Sequence, residues 1–457
     1  MTEFKEQGGP STMDPPAYRR WIASQVLTQW VSHAGTHRRR VQQEKKRVRG
    51  NLPHHVEYFH YVEDPYSALT AQVLSTFSAR YNVELTCHLV SEPPGDNAPE
   101  FERLMKLARY DACMIAGKYD LSFNAQKNAL NQDLGDIAKS ILSAQSDRNF
   151  IGCVAEVSLA IWSGDTTKLT ALGEKLGVAS PEEIRQKISS GDARRAQLKH
   201  YSGAMFYYAG EWYWGVDRLY HLEERLSSLG VDKKSDTGLI APRPEVAMGP
   251  LKDSETLTLE IFPTLRSPYS AIVFDRAVAL AKATGVKLSV RLVLPMVMRG
   301  VPTTTIKGHY IFWDAGREAQ VAGVPFGKIY DPVGEPVRHC CSLIPWAETQ
   351  GKHIDLIQAF YQCAFVRGIN TNNNRGMRKV IERAGLSWHE AKQRIGDPEG
   401  AKMLEKNRLV LLNAGIWGTP SFRLLNSGGA QILALWGQDR LWRVADEIQQ
   451  QLAKSDP

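Results

Sequence analysis

Leu259–Ile272 reads LEIFPTLRSPYSAI, an apolar stretch that breaks at Arg266-Ser267-Pro268-Tyr269-Ser270. Much earlier, Val56–Leu69 reads VEYFHYVEDPYSAL and breaks in the same way at Glu63-Asp64-Pro65-Tyr66-Ser67. Alternation before each break predicts half-buried strands over Val56–Val62 and Thr256–Phe262. Ser or Asp followed by Pro predicts a helix start. The side-chain oxygen accepts from first-turn N–H groups, and proline's missing donor costs nothing there. The same strand, cap and helix therefore occur twice, 203 positions apart.

Two further landmarks keep the order. Phe150–Cys153 (FIGC) matches Phe360–Cys363 (FYQC) at 210 positions, and Tyr213–Tyr220 (YWGVDRLY) matches Leu435–Trp442 (LWGQDRLW) at 222. A repeat of whole domains is the reading, the second copy being longer by about 19 residues between landmarks. Each copy continues with a second strand (VELTCHLV or VKLSVRLVL), a long helical region, two short strands about a glycine turn and a last helix. The expected class is α/β: two tandem domains, each a mixed central sheet with a helical insertion. Residues 1–52 read as a basic, partly helical N-terminal segment, with YRRWIASQVLTQWVSHA as an amphipathic helix. Residues 53–228 read as a first, degenerate domain, 229–254 as a Gly/Pro/Ser-rich linker and 255–457 as the active domain.

The chain has 457 residues and a formal net charge of +7. Residues 1–50 carry ten Lys/Arg against four Asp/Glu, so the rest is near neutral. Nucleic-acid binding would rest on THRRRVQQEKKRVRG alone, with no aromatic-basic module beside it, and a solvated basic helix or oligomer-interface arm is the plainer reading. No apolar run is long enough to span a bilayer and no signal-peptide core opens the sequence, so a soluble cytoplasmic protein is expected. Of six cysteines, Cys87, Cys113, Cys153, Cys340, Cys341 and Cys363, none forms a C-x-x-C pair. Buried thiols in a reducing compartment are expected, and His339 beside Cys340 has no second ligand pair, so no metal is expected.

A helix N-terminus carries partial positive charge and unpaired N–H groups, which favour an anion such as a thiolate. Ser267 is neutral and can donate to it. Asp64, read as ionised near neutral pH, can only accept and would repel it. As plain caps the two turns need no further role.

S-P-Y-S after the first strand, W-G-x-D-R-L at the last helix and Asp397–Phe422 (DPEGAKMLEKNRLVLLNAGIWGTPSF) together resemble the thioredoxin-fold DsbA superfamily. Within it they resemble the 2-hydroxychromene-2-carboxylate isomerase and kappa-class glutathione transferase branch. The resemblance covers Thr256 to about Leu452, and Val56–Leu226 more weakly. It implies that Ser267 holds the glutathione thiolate and that Pro420 is a cis-proline. Thr419 would pair its backbone with the glutathione cysteinyl backbone, while Gln438, Asp439 and Arg440 would meet the γ-glutamyl end. Lys307 would approach a glutathione carboxylate. Asp439 and Arg440 recur as Asp217 and Arg218, which fits capping and a surface ion pair equally; Lys307 reads as well as a solvated lysine. Redox relatives carry Cys at both ends of the turn, here Ser267 and Ser270, which excludes the usual thiol–disulfide route. Met298 stands where many relatives have Asn. In the first copy Ala204 stands in place of Pro420 and the preceding helix is expected to be shortened.

The leading expectation is a glutathione-dependent isomerase or transferase acting on an aromatic or α-keto-acid substrate. Tyr269 and Trp417 would line its pocket; Phe312 and Trp313 fit core packing better. The alternatives are a non-catalytic thioredoxin-fold protein binding a peptide or protein partner, or an oxidoreductase relative that has lost its C-x-x-C. An oligomer or an intrachain pseudo-dimer fits either.

Overall fold

The structure is a computed structural model and describes residues 14–124, 130–301 and 303–455; the first 13 residues of the N-terminal segment lie outside the described residues. Contacts divide the chain into two compact units. The first runs Arg38–Pro244; the second joins Glu245 onward with the described residues up to His37. Helix α1 (Ala17–Val31) belongs to the second unit, and most of α2 (His33–Arg49) to the first.

The first unit continues with β1 (His55–His60), α3 (Pro65–Arg80), β2 (Glu84–Leu89), α4 (Phe101–Ile115), α5 (Gln132–Ser143), α6 (Asp147–Ser163), α7 (Thr166–Leu176), α8 (Pro181–Gln197), β3 (Met205–Tyr208), β4 (Glu211–Trp214) and α9 (Gly215–Ser228). Its sheet has the order β2-β1-β3-β4, with β1 parallel to β2 and antiparallel to β3. The second unit has β5 (Thr258–Phe262), α10 (Pro268–Thr284), β6 (Lys287–Val290), α11 (Thr305–Val321), α12 (Glu335–Thr349), α13 (His353–Tyr361), α14 (Asn374–Arg383), α15 (Trp388–Lys392), α16 (Pro398–Asn413), β7 (Ser421–Leu425), β8 (Gln431–Trp436) and α17 (Leu441–Ser455). Its sheet order, β6-β5-β7-β8, is the same arrangement with the same parallel and antiparallel pairs. Each unit is therefore a mixed sheet with a helical insertion, as the alternating strands and helical runs led one to expect.

The 203-position match extends to individual bonds. Tyr58 pairs with Phe206 in the first sheet, and Ile261 with Phe422 in the second. The Tyr61 N–H donates to Ser67 Oγ at 3.3 Å, and the Thr264 N–H to Ser270 Oγ at 3.2 Å. The Tyr66 hydroxyl donates to Asp111 at 2.9 Å, and the Tyr269 hydroxyl to Asp314 at 2.7 Å. Buried Glu57 takes Arg194 and His88, while buried Glu260 takes Arg423 and Arg291. Burial alone would raise the Glu57 carboxyl, but hydrogen bonds from Arg194 and His88 outweigh it and hold it at about 2.

One expectation is corrected. The helix before β3 is not shortened: α8 has 17 residues and α16 has 16. A capping box at Ser180 and Glu183 with Pro181 at the first position starts α8 firmly. The extra length of the second unit is divided between the insert, where α15 has no counterpart among the described residues, and the β7–β8 hairpin, where Phe422 and its partner Leu435 stand farther apart in sequence than Phe206 and Tyr213.

Helix α1 also reverses the usual amphipathic arrangement. Its polar side chains face the second unit: Arg20 donates to the carbonyls of Asp331 and Val333 at 3.0 and 2.5 Å. The Asp331 N–H donates to Ser24 Oγ at 3.1 Å, and the Ile329 N–H to Thr28 Oγ1 at 2.9 Å. Tyr18, Trp21, Ile22 and Val26 are exposed. Arg20 is tolerated at 1% exposure because Asp14 and two carbonyls meet its guanidinium.

Candidate functional site

Ser267 caps α10, with its Oγ accepting the Ser270 N–H at 3.2 Å. A hydroxyl that accepts in this way keeps its own proton to donate. Because Pro268 occupies the first helical position, the turn starts without an orphan donor there. Ser270 is fully buried and its Oγ holds the Thr264 N–H, so it is a structural end of the turn.

The Thr419–Pro420 peptide is cis. Ser421 pairs with Phe262, which places Thr419 and Pro420 just past the C-terminal end of β5, the end from which α10 departs. Ser267 and the start of β7 thus share one end of the sheet. The Pro420 carbonyl accepts from the Gly437 N–H at 2.9 Å. Gly437 has φ 114°, and a Cβ there would stand 2.6 Å from Asp439 Oδ1, so glycine is needed for that carboxylate to turn back on its own loop.

The other expected residues divide into two groups. Lys307 lies in the first turn of α11, its N–H donating to Thr304 Oγ1 at 3.2 Å, and burial lowers its ammonium to about 8. Asp439 remains partly accessible, with Arg440 Nη1 at 3.9 Å. Gln438 and Arg440 turn inward, each at 2% exposure, and the Gln438 amide donates to buried Glu318 at 2.9 Å. Tyr269 is half-buried and tied by its hydroxyl to Asp314, which also takes Arg317 at 2.8 Å. Trp417 is buried against Trp436, the rings edge-on at 6.1 Å. Phe312, Trp313 and Met298 are also buried, with the Arg317 guanidinium 4.5 Å from the Trp313 ring centre.

Sequence reasoning missed the anchor beside Ser267. Arg266 reaches Asp331 with two donors, at 3.1 and 3.0 Å, and the Asp331 backbone is held by Arg20 and Ser24 of α1. Only the Arg in R-S-P-Y-S hinted at it; its partner lies 65 positions away and carries no local signature.

The corresponding end of the first unit is built differently. Asp64 accepts from the Tyr66 N–H, the Ser67 N–H and Ser67 Oγ at 3.2, 3.0 and 2.9 Å. Burial raises its carboxyl to about 6, with those three bonds opposing the rise, so it is ionised at pH 7 but much less acidic than its type suggests. Ala204 has φ 53°, and a Cβ on Gly203 would stand 2.6 Å from Tyr61 Cβ, so glycine lets the chain pass close to Tyr61 here. Asp217 takes the Tyr119 hydroxyl at 3.0 Å and is buried. Cys340 and Cys341 are buried in α12, where burial pushes the Cys341 thiol up to about 12 and Cys340 well up, while His339 sits 3.0 Å from Glu335. Neither thiol is a ready thiolate.

This geometry belongs to a thioredoxin-fold domain of the DsbA type. Residues 258–449 match the family model of the DSBA-like thioredoxin domain, and they form such a domain. Among solved structures, the chain is similar to a 2-hydroxychromene-2-carboxylate isomerase, with 15% identity and a TM-score of 0.37 over 43% of this chain and 97% of that one. It is also similar to the cytosolic disulfide reductase DsbM from Pseudomonas aeruginosa, with 20% identity and a TM-score of 0.34 over 43% of this chain and 99% of that one. No curated protein matches the sequence.

Proposed function

We propose that the second unit is a glutathione-dependent isomerase or transferase of the 2-hydroxychromene-2-carboxylate isomerase and kappa type, and that the first unit is a diverged copy of the same domain. The observation that carries the reading is Ser267: a neutral cap whose oxygen already accepts the Ser270 N–H and whose proton is left to donate at a helix N-terminus. A cysteine thiolate placed there gains a hydrogen bond and the favourable end of the helix dipole. Lys307 supplies a cation for a glutathione carboxylate, and the half-buried backbone at Thr419 supplies pairing. Ser at both ends of the turn directs the chemistry toward addition of the thiolate to an aromatic or α-keto-acid substrate. The reduced, unpaired state of the cysteines is in keeping with a cytoplasmic setting.

The test is titration of the full chain with glutathione, followed by the ultraviolet absorbance of the bound thiolate against pH. Binding in the millimolar range or tighter is expected, with the bound thiol titrating at least about one pH unit higher in Ser267→Ala, as loss of one oriented donor predicts. A thiol titration unchanged in that variant removes Ser267 from the mechanism.

A second reading is favoured by the inward turn of Gln438 and Arg440, which withdraws two of the glutathione contacts. On that reading the half-buried backbone at Thr419 receives an extended peptide by strand addition. Absence of glutathione binding at millimolar concentration would favour it.

A further inference from the structure

The residue just before the helix cap is tied down in both units, with opposite charges. In the first unit Glu63 meets Lys139 at 2.5 Å, and Lys139 belongs to α5. Gly135 of the same helix lets the carboxylate lie close, since a Cβ there would stand 3.1 Å from Glu63 Oε1. In the second unit, 203 positions on, Arg266 meets Asp331 with two donors, at 3.1 and 3.0 Å. Asp331 lies on a loop, residues 322–334 between α11 and α12. A bidentate ion pair fixes a side chain only as well as the partner's own backbone is fixed. A helix supplies its backbone bonds internally, whereas a loop has to find them elsewhere.

This loop finds them on two sides. The π-helical turn Gln362–Val366 takes two of its N–H groups: Gly327 donates to the Phe365 carbonyl at 2.9 Å, and Tyr330 to the Ala364 carbonyl at 2.7 Å. Helix α1 takes the stretch that carries Asp331. Thr28 Oγ1 accepts the Ile329 N–H at 2.9 Å and donates to the Ile329 carbonyl at 3.2 Å. Ser24 Oγ accepts the Asp331 N–H, and Arg20 donates to the Asp331 and Val333 carbonyls. Residues 20, 24 and 28 are spaced by four, so one helix face serves this loop as a neighbouring strand would serve a strand. The far end of α1 rests on α11, where the Trp30 ring stands edge-on to His309 at 4.9 Å. Helix α1 lies outside residues 258–449, so this support is an addition to the DSBA-like domain.

We propose that α1 is a positioning element of the Ser267 site: Arg20, Ser24 and Thr28 hold the loop, the loop holds Asp331, and Asp331 holds Arg266 and with it the turn that carries Ser267. The part this plays in catalysis rests on the reading of Ser267 as donor to a bound thiolate; the mechanical link does not.

The test compares amide hydrogen exchange of the full chain, without ligand, in peptides spanning 17–31, 262–274 and 59–71, the last being the matching turn of the first unit. Ser24→Ala combined with Thr28→Val removes two hydroxyls at nearly constant volume. Exchange in 262–274 is expected to quicken about tenfold, as loss of about two hydrogen bonds predicts, while 59–71 keeps its parent rate. Thr28→Ser keeps the hydroxyl and should leave 262–274 at the parent rate. Asp331→Asn removes the charge that Arg266 meets without touching α1. It is expected to quicken 262–274 with 17–31 unchanged, and it keeps the link testable where the α1 pair prevents folding. With glutathione present, the bound thiol should titrate higher in the α1 pair than in the parent. It should titrate no higher in that pair combined with Ser267→Ala than in Ser267→Ala alone. An unchanged rate in 262–274 in both the α1 pair and Asp331→Asn overturns the proposal, as does equal acceleration in 59–71 or a thiol shift that persists in the Ser267→Ala background. A parent that binds no glutathione removes the reading of Ser267, and the exchange rates then decide the link by themselves.

Discussion

Asp64→Ser gives the cap of the first unit the side chain that Ser267 gives the second. Its effect on stability should change sign with pH. The folded chain holds the Asp64 carboxyl at about 6 against an ordinary 3.8, with burial as the leading cause. A shift of about two pKa units corresponds to a ceiling of about 3 kcal/mol. Between these values the folded state keeps a proton that the unfolded state has lost, so this group's contribution falls as pH rises from about 4 to 6 and stays low above that. Serine caps as well as aspartate but loses the contact from Ser67 Oγ, at a cost of about 1 kcal/mol. The variant is therefore expected to be more stable than the parent by about 1–2 kcal/mol at pH 8, and less stable by about 1 kcal/mol at pH 4. Urea unfolding of both proteins, followed by far-ultraviolet circular dichroism across that range, measures the difference directly. Taking the difference removes groups common to both, including Glu57 and the buried His60. A destabilisation of equal size at both pH values would show that the carboxylate is not desolvated, and the reasoning would fail.

Three further outcomes follow from the same geometry. If Lys307 holds a ligand carboxylate, binding of S-methylglutathione should weaken toward tenfold per pH unit above about 8, and Lys307→Arg should flatten that dependence in calorimetry. Tyr269→Phe should cost about 1.5–3 kcal/mol of chemical stability, because it strips a hydrogen bond from the buried Asp314 carboxylate. Gly191→Ala should lower the denaturation midpoint by an amount equivalent to about 1–3 kcal/mol, since its Cβ would stand 1.9 Å from the Leu89 carbonyl oxygen and force α8 off β2.

Much of the architecture was legible because it is written in local chemistry. The alternation of Val56–Val62 and Thr256–Phe262, and the Asp-Pro and Ser-Pro caps, specify a strand and a helix start with little help from the rest of the chain. The sequence self-match then extends to the sheet order of the two units, down to the matching Tyr58–Phe206 and Ile261–Phe422 registers. What escaped were contacts without local grammar. The amphipathic reading of α1 does not say which side docks; hydrogen bonds between Arg20, Ser24 and Thr28 and a loop some 300 positions away decide it. Gln438 and Arg440 read from the resemblance as ligand contacts, and Arg440 otherwise as half of a surface ion pair, whereas both turn inward, Gln438 onto Glu318 of α11. The helix before β3 reads as shortened in the sequence, whereas the length difference is divided between the insert and the β7–β8 hairpin.

The docking of α1 sets an order of events on the ribosome. Arg20 leaves the exit tunnel early, but the Asp331 carbonyl that receives it lies 311 residues later. At about 5–20 residues per second that delay is roughly 15–60 s, long enough for the intervening first unit to emerge and fold. Throughout this interval Arg20, Ser24 and Thr28 lack the backbone partners that the second unit supplies, and Tyr18, Trp21, Ile22 and Val26 lie on the other side. Nascent chains stalled before the second unit should therefore show this helix in rapid amide hydrogen exchange, and those extended past it should show it protected. A helix made before the first unit thus reaches its place only after the second has been made.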